Sequence, residues 1–185
     1  YYDETARTFS GLGHPICDVD TGEIMTLSSG EGVEAIITGC TAGKSGTPGE
    51  LKGQFISGHI FAGLTANSTS GICGELRSDF IPQGIRMPVA FSHEVEEGAA
   101  KMLTTIEGGT PQEYDMVLRV VDERLLQKTG GIVQGMSGSP LVQNGMLVGA
   151  VTHVFVDDPA RGYAIFAETV RSNEKALETM QKPAA

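Results

Sequence analysis

The sequence predicts a mostly antiparallel β protein closed by one C-terminal helix, and three observations carry that reading. The 25 glycines and 8 prolines, without tryptophan, in 185 residues describe short strands joined by many turns. Tyr114, Met116, Leu118 and Val120 recur at period two, the spacing that puts side chains on one face of a strand. Asn144-Gly145, set between LVQ and MLVGAV, is a strong two-residue hairpin turn. The length suits one ordinary domain or two small packed barrels.

Residues 1–13 read as a hairpin, YY and TFSGL around a DETA turn. Residues 23–39, EIMTLSSGEGVEAIITG, read as two short strands split by SSGEG. The Gly-rich stretch CTAGKSGTPGELKG at 40–53 precedes two further strands, QFISGHIFAGL and GICGEL. DFIPQGIRMPVAF at 79–91, with two prolines, reads as the connector between halves. In the second half, 99–106 and 114–121 flank EGGTPQE as a long hairpin. ERLLQKTGG then leads into IVQGMSGSP, and the Asn-Gly hairpin follows. After DDPARG come the strand YAIFA and the helix ETVRSNEKALETMQK, whose Val170, Leu177 and Met180 form a modest apolar stripe.

Charge and cysteine usage exclude several classes. The 13 basic and 23 acidic side chains give a net charge of −10, and no basic run stands out. Binding to a phosphate backbone needs clustered Lys and Arg, so no nucleic-acid partner is expected. Cys17, Cys40 and Cys73 form no CxxC pair, so the spacing marks neither a disulfide framework nor a zinc site. No run approaches a membrane span and no signal-peptide pattern is expected in these residues. The chain opens YYDETARTF without methionine, and a fragment of a longer protein is expected.

Two motifs are decoys. GCTAGKS at 39–45 resembles a phosphate-binding loop, but three residues rather than four separate its glycine from the GK pair. GTPGE follows it where a helix should start, so a polar turn is expected. GMSGS at 135–139 falls short of the GxSxG elbow because position 139 is serine. The α/β-hydrolase order of serine, acid and histidine is also missing after it.

A serine hydroxyl is a poor nucleophile until an imidazole takes its proton. The tetrahedral intermediate then needs backbone N–H donors aimed at its oxygen. In GMSGSP a glycine two residues before Ser137 lets the chain turn so that the Gly135 and Ser137 N–H groups point into one pocket. Gly138 and Ser139 keep bulk away, and Pro140 opens the next strand, where a missing N–H matters least.

GMSGSP resembles the GDSGGP nucleophile loop of chymotrypsin-like serine proteases. The strand, Asn-Gly hairpin, GAVTHVF strand, RGYAIF strand and terminal helix that follow resemble theirs in order over about the last 50 residues. SGLGHPICDVDTG at 10–22, KTGGIVQGMSGSP at 128–140 and AVTHVFVDDPARGYAIF at 150–166 resemble one family within them. It is the stage IV sporulation protein B peptidases, signalling serine proteases of endospore formers.

The resemblance implies an all-β, chymotrypsin-like double antiparallel β-barrel with a C-terminal helix. It implies one peptidase domain over 1–185, with a first barrel at about 1–85, a second at about 90–167 and the helix at 168–182. It implies His14 as general base, Ser137 as nucleophile and Asp122, 15 residues before the serine, as acid. At Asp122 alternatives stay open: it could cap a turn before Glu123-Arg124, and Asp18 and Asp20 lie closer to His14 in sequence. Gly135 and Ser137 would form the oxyanion hole. Thr152, His153 and Val154 would lie along the substrate-pairing strand, with Tyr163 on the pocket wall. Of the other histidines, His59 reads as packed or cleft-lining and His93 as surface.

The family further implies self-cleavage near the N-terminus and cleavage of a membrane-associated regulatory protein. It implies an extracytoplasmic site between the forespore and mother-cell membranes, and a parent chain with a membrane anchor and a PDZ domain. No metal or organic cofactor is expected. A catalytically idle, peptide-binding module and a non-protease acyl transferase are the alternatives. Met136 departs from the trypsin-type pattern, which has aspartate there. The oxyanion turn must therefore be held by contacts other than a new amino terminus, Gln134 or a partner being the candidates.

Overall fold

The computed structural model describes residues 2–81, the backbone of 100–105, and residues 115–172. Its strands form two curled, five-stranded antiparallel sheets, one from each half of the chain. The first contains β1 (Tyr2–Asp3), β2 (Thr8–Gly11), β3 (Glu31–Thr41), β4 (Glu50–Ser68) and β5 (Gly71–Leu76), in the order β1-β2-β5-β4-β3. The second contains β6 (Ala100–Thr105), β7 (Met116–Val120), β8 (Pro140–Gln143), β9 (Met146–Val154) and β10 (Arg161–Phe166), in the order β6-β7-β10-β9-β8. The helix α1 (Glu123–Thr129) follows β7, and a C-terminal helix begins at 167 and is described to 172. This is an all-β double-barrel fold.

The N-terminal hairpin forms where expected, with Tyr2 opposite Phe9. One strand, not two, arises between 23 and 41: residues 25–30 form no strand, and Ile24 makes only an isolated bridge to Cys17. SSGEG therefore runs into the start of the strand at Glu31 instead of dividing a pair. The Gly-rich stretch at 40–53 is also shorter as a loop than it reads, because β3 and β4 run into it and pair Thr41 with Glu50. Residues 42–49 make the turn, with Lys44 and Thr47 exchanging main-chain bonds. The absence of a helix after GKS agrees with a polar turn rather than a phosphate loop. The proline-rich connector lies outside the described residues beyond 81.

The second sheet holds the core. The alternation seen in the sequence buries Met116, Leu118 and Val120, which are 0–5 % exposed, against Ile132, Val151 and Ala164. Tyr114, on the same face by period, lies outside the described residues. Each such fully buried apolar side chain contributes about 1.5–3 kcal/mol. Asn144 (φ 50°) and Gly145 (φ 74°) make the hairpin turn between β8 and β9, both left-handed, as the twist-matched two-residue turn requires.

Helix α1 is legible only in its ends. Asp122 caps it by accepting from the Leu125 N–H at 2.9 Å, Glu123 opens it, Lys128 lies in its last turn, and Gly130 (φ 74°) ends it. Those are strong start and stop signals. At seven residues it is too short to show an apolar period, so it reads as a connector.

Candidate active site

Ser137 lies in two consecutive tight turns. The Met136 N–H donates to the Val133 carbonyl at 3.1 Å, and the Ser139 N–H to the Met136 carbonyl at 2.9 Å. Their third positions are Gly135 (φ 91°) and Gly138 (φ 81°), where a positive φ suits glycine. Two further bonds tie the turn to β9: Gly138 N–H to the Val151 carbonyl and Val151 N–H to the Ser139 carbonyl. Among the described residues, neither the Gly135 nor the Ser137 N–H has a hydrogen-bond partner. These are the two donors expected to form the oxyanion hole. Met136 packs against the core of the second sheet, so an apolar anchor stands where trypsin-type enzymes have a carboxylate.

His14 follows Leu12 (φ 70°) and Gly13 (φ 74°), two left-handed residues that end β2 sharply. A Cβ on Gly13 would lie 2.7 Å from Ile165 Cγ2 and 3.1 Å from Thr152 Cγ2, and one on Gly138 would lie 3.3 Å from the Leu12 nitrogen. These close approaches bring the histidine loop of the first sheet onto the serine turn of the second. The His14 Nδ1 lies 2.8 Å from the Pro15 carbonyl. A carbonyl can only accept, so Nδ1 carries a proton, and in the neutral tautomer this leaves the lone pair on Nε2. Nε2 is buried and has no hydrogen-bond partner. The Ser137 hydroxyl instead donates to the Thr152 carbonyl at 3.0 Å.

The structure does not bring Asp122 to His14. Its carboxylate accepts from the Leu125 N–H at 2.9 Å and from the Arg124 guanidinium at 3.1 Å. Those bonds, the backbone one first, hold it below its ordinary pKa. Asp18 is likewise turned onto its own loop, accepting from the Thr21 N–H, the Asp20 N–H and the Thr21 hydroxyl. Its pKa is lowered chiefly by the Thr21 backbone bond. Asp20 is exposed. Among the described residues no carboxylate bonds to His14, and the Pro15 carbonyl occupies the position a triad acid would take.

The substrate-strand residues divide by face. The Thr152 side chain is 2 % exposed and Val154 packs against the core, so this strand offers a peptide the main chain there. His153 faces the site: its ring lies 4.8 Å, centroid to centroid, from that of His14. Tyr163 pairs with His153 in register, and its ring packs 4.7 Å from Phe155. An aromatic row thus runs outward from the histidine. His59, which reads as packed or cleft-lining, is on the exposed part of β4, 2.9 Å from Glu34 Oε2, where it lines a shallow pocket with Phe61 and Phe80. His93 lies outside the described residues.

Two curled antiparallel sheets, with a serine turn on one and a histidine loop beside it on the other, define the class as a double-barrel peptidase architecture. A comparison with protein-family models sharpens this. The model described as SpoIVB peptidase S55 matches residues 1–170, and the chain belongs to that family, which makes it a sporulation-related peptidase. No curated protein and no solved structure matches it. Among the described residues no helix is long and apolar enough to cross a membrane.

Proposed function

We propose that this domain is a serine endopeptidase in which Ser137 attacks the scissile carbonyl and His14 takes its proton. The observation that carries the reading is the pair of unpartnered N–H groups at Gly135 and Ser137, beside an imidazole with a free, buried Nε2. Substrate would lie extended along β9, donating its N–H to the Thr152 carbonyl. That carbonyl holds the Ser137 hydroxyl at rest, so the incoming peptide displaces the hydroxyl and frees it to turn to His14 Nε2. As the serine oxygen bonds to the carbonyl carbon, Nε2 accepts the proton, and the two N–H groups hold the oxyanion. The imidazolium then protonates the leaving amine, and water releases the acyl group by the reverse transfers.

Asp122 enters this reading as the acid only by giving up its helix cap. Until it does, the Pro15 carbonyl orients the ring. Asp122→Asn separates the two: loss of about 10⁴-fold in kcat assigns the carboxylate to the working triad, as expected for a missing acid. Retained kcat leaves the orienting role with Pro15. The wider role proposed with it is self-cleavage, cleavage of a membrane-associated regulator, and work between the forespore and mother-cell membranes. It also extends to a parent chain bearing an anchor and a PDZ domain.

The experiment compares wild type with Ser137→Ala for fluorophosphonate labelling and for cleavage of a regulator peptide. Labelling and cleavage are expected in wild type and absent in the variant. Equal cleavage by both ends the serine mechanism. The Ser137–Thr152 bond favours one second reading, a peptide-binding module with an idle serine. It predicts peptide binding without labelling in either protein.

A further inference from the structure

The oxyanion hole needs the Gly135 N–H aimed into the cleft before any substrate arrives, because preorganised donors do not have to reorient during the reaction. Gly135 is exposed and left-handed, a conformation that by itself leaves the preceding peptide plane free to rotate. That plane carries the Gln134 carbonyl and the Gly135 N–H on opposite edges, as every trans peptide does. Whatever holds the carbonyl therefore aims the N–H. The Gln134 carbonyl accepts from the Leu51 N–H at 2.8 Å, and the Gln134 N–H donates to the Gly49 carbonyl at 2.8 Å, a parallel bridge centred on Glu50. The Leu51 side chain closes over the same place, since a Cβ on Gly135 would lie 3.1 Å from Leu51 Cβ.

The segment that supplies these bonds is the turn between β3 and β4 together with the start of β4, directly after the motif that resembles a phosphate loop. It is fastened to the second half of the chain at two more points, Gly43 N–H to the Thr129 carbonyl at the end of α1 at 2.8 Å and Gly46 N–H to the Val156 carbonyl just beyond β9 at 2.9 Å. A Cβ on Gly130 would lie 2.1 Å from the Gly43 carbonyl oxygen, so the two loops touch backbone to backbone. Leu51 faces Cys40 across the β3–β4 ladder, while its N–H is directed to Gln134.

We infer that residues 43–51 of the first sheet are the brace of the oxyanion turn, with the Leu51 N–H as the positioning group for the Gly135 donor. Together with Met136, partly buried against the core, it does the work that a new amino terminus does in trypsin-type enzymes. The inference rests on the serine-peptidase reading for its catalytic consequence, but the brace itself is a structural statement that can be tested without turnover.

The test uses the whole domain as wild type, Leu51→Pro, which removes the N–H, and Leu51→Ala, which keeps it. Leu51→Pro is expected to lose about 10²–10³-fold in kcat, the loss seen when one oxyanion donor is removed, with KM changed less than about threefold. Its affinity for a peptide boronate, which binds as a tetrahedral adduct, should fall in parallel. Leu51→Ala should keep both far closer to wild type. A Leu51→Pro variant with wild-type kcat and boronate affinity overturns the inference. Amide hydrogen exchange on wild type is the second arm: Leu51 and Gln134 should be protected while Gly135 and Ser137 exchange freely. Rapid exchange at Leu51 overturns the brace whether or not Leu51→Pro folds. A wild type that neither cleaves peptide nor binds boronate ends the serine-peptidase reading, and the exchange pattern still decides the brace.

Discussion

The two sheets share a strand count and differ in how they are held. In the second, Met116 and Ile165 are fully enclosed and Leu118, Val120, Ile132 and Val133 nearly so. In the first, Ala62 is the one fully buried hydrophobic residue among those described, while Phe55, Ile36 and Ile37 are 80, 58 and 59 % exposed. The expected nucleophile is built into the packed sheet and the expected base into the thin one. The serine turn is anchored by Met136 against the dense core and braced from across the junction by the 43–51 segment at Gln134. The His14 loop likewise depends on contacts that cross between sheets: Gly13 against Ile165 and Thr152, and Leu12 against Gly138. The alignment of the site is therefore a property of the junction, and the thin sheet is the part whose motion would misalign it.

The largest expected effect tests the dense side. Met116→Ala should destabilise the domain by about 2–5 kcal/mol, the cost of emptying a closed core site, read by denaturant unfolding. A loss below about 1 kcal/mol would show that the second sheet is not the stability core. At the junction, Gly13→Ala places a methyl 2.7 Å from Ile165 Cγ2 at a left-handed position. It should push the His14 loop away and lower kcat about 10²-fold, the scale of an ångström-sized misplacement. Phosphonate labelling at the wild-type rate would show that this contact does not align the pair.

A smaller effect is expected at the helix cap. Asp122→Ala should lower the melting temperature, whereas Asp122→Asn, which keeps a capping oxygen, should lower it less. The folded carboxyl lies below its ordinary pKa, so the cap's contribution is complete above the normal carboxylate range. It is lost as pH falls through the lowered folded value. The Asp122→Ala deficit should accordingly shrink in acid, and a deficit that grows there would contradict the cap. Smallest of all, Phe55→Ser on the exposed hairpin should change stability by no more than about 0.5 kcal/mol. A multi-kcal loss there would mean that the first sheet buries a face the described residues leave open.

Much of the architecture was readable because it is written in near neighbours. Period two at Met116, Leu118 and Val120, paired positive-φ residues at Asn144-Gly145, and glycines spaced around Ser137 are constraints within a few bonds. Each kept its meaning on folding. Errors came where length or context intervened. SSGEG reads as dividing two strands although a single strand starts within it at Glu31, and α1 is hidden because seven residues show caps but no period. In the site, the serine turn and its two donors were legible, while the partner of His14 was not.

By itself, then, the sequence determined the strand pattern, the turn that carries Ser137, the family and the residue types available for acyl transfer. The tertiary structure alone decided that Asp122 caps a helix, that the Pro15 carbonyl meets His14 Nδ1, that the Thr152 carbonyl holds the Ser137 hydroxyl and that Leu51 aims the Gln134–Gly135 peptide. The physical reason is the range of the interactions. Backbone dihedral limits and side-chain periods act between neighbours and leave a mark in local composition. A main-chain hydrogen bond such as that from Leu51 to Gln134 uses groups every residue carries, so nothing in the side chains records it until the two sheets close.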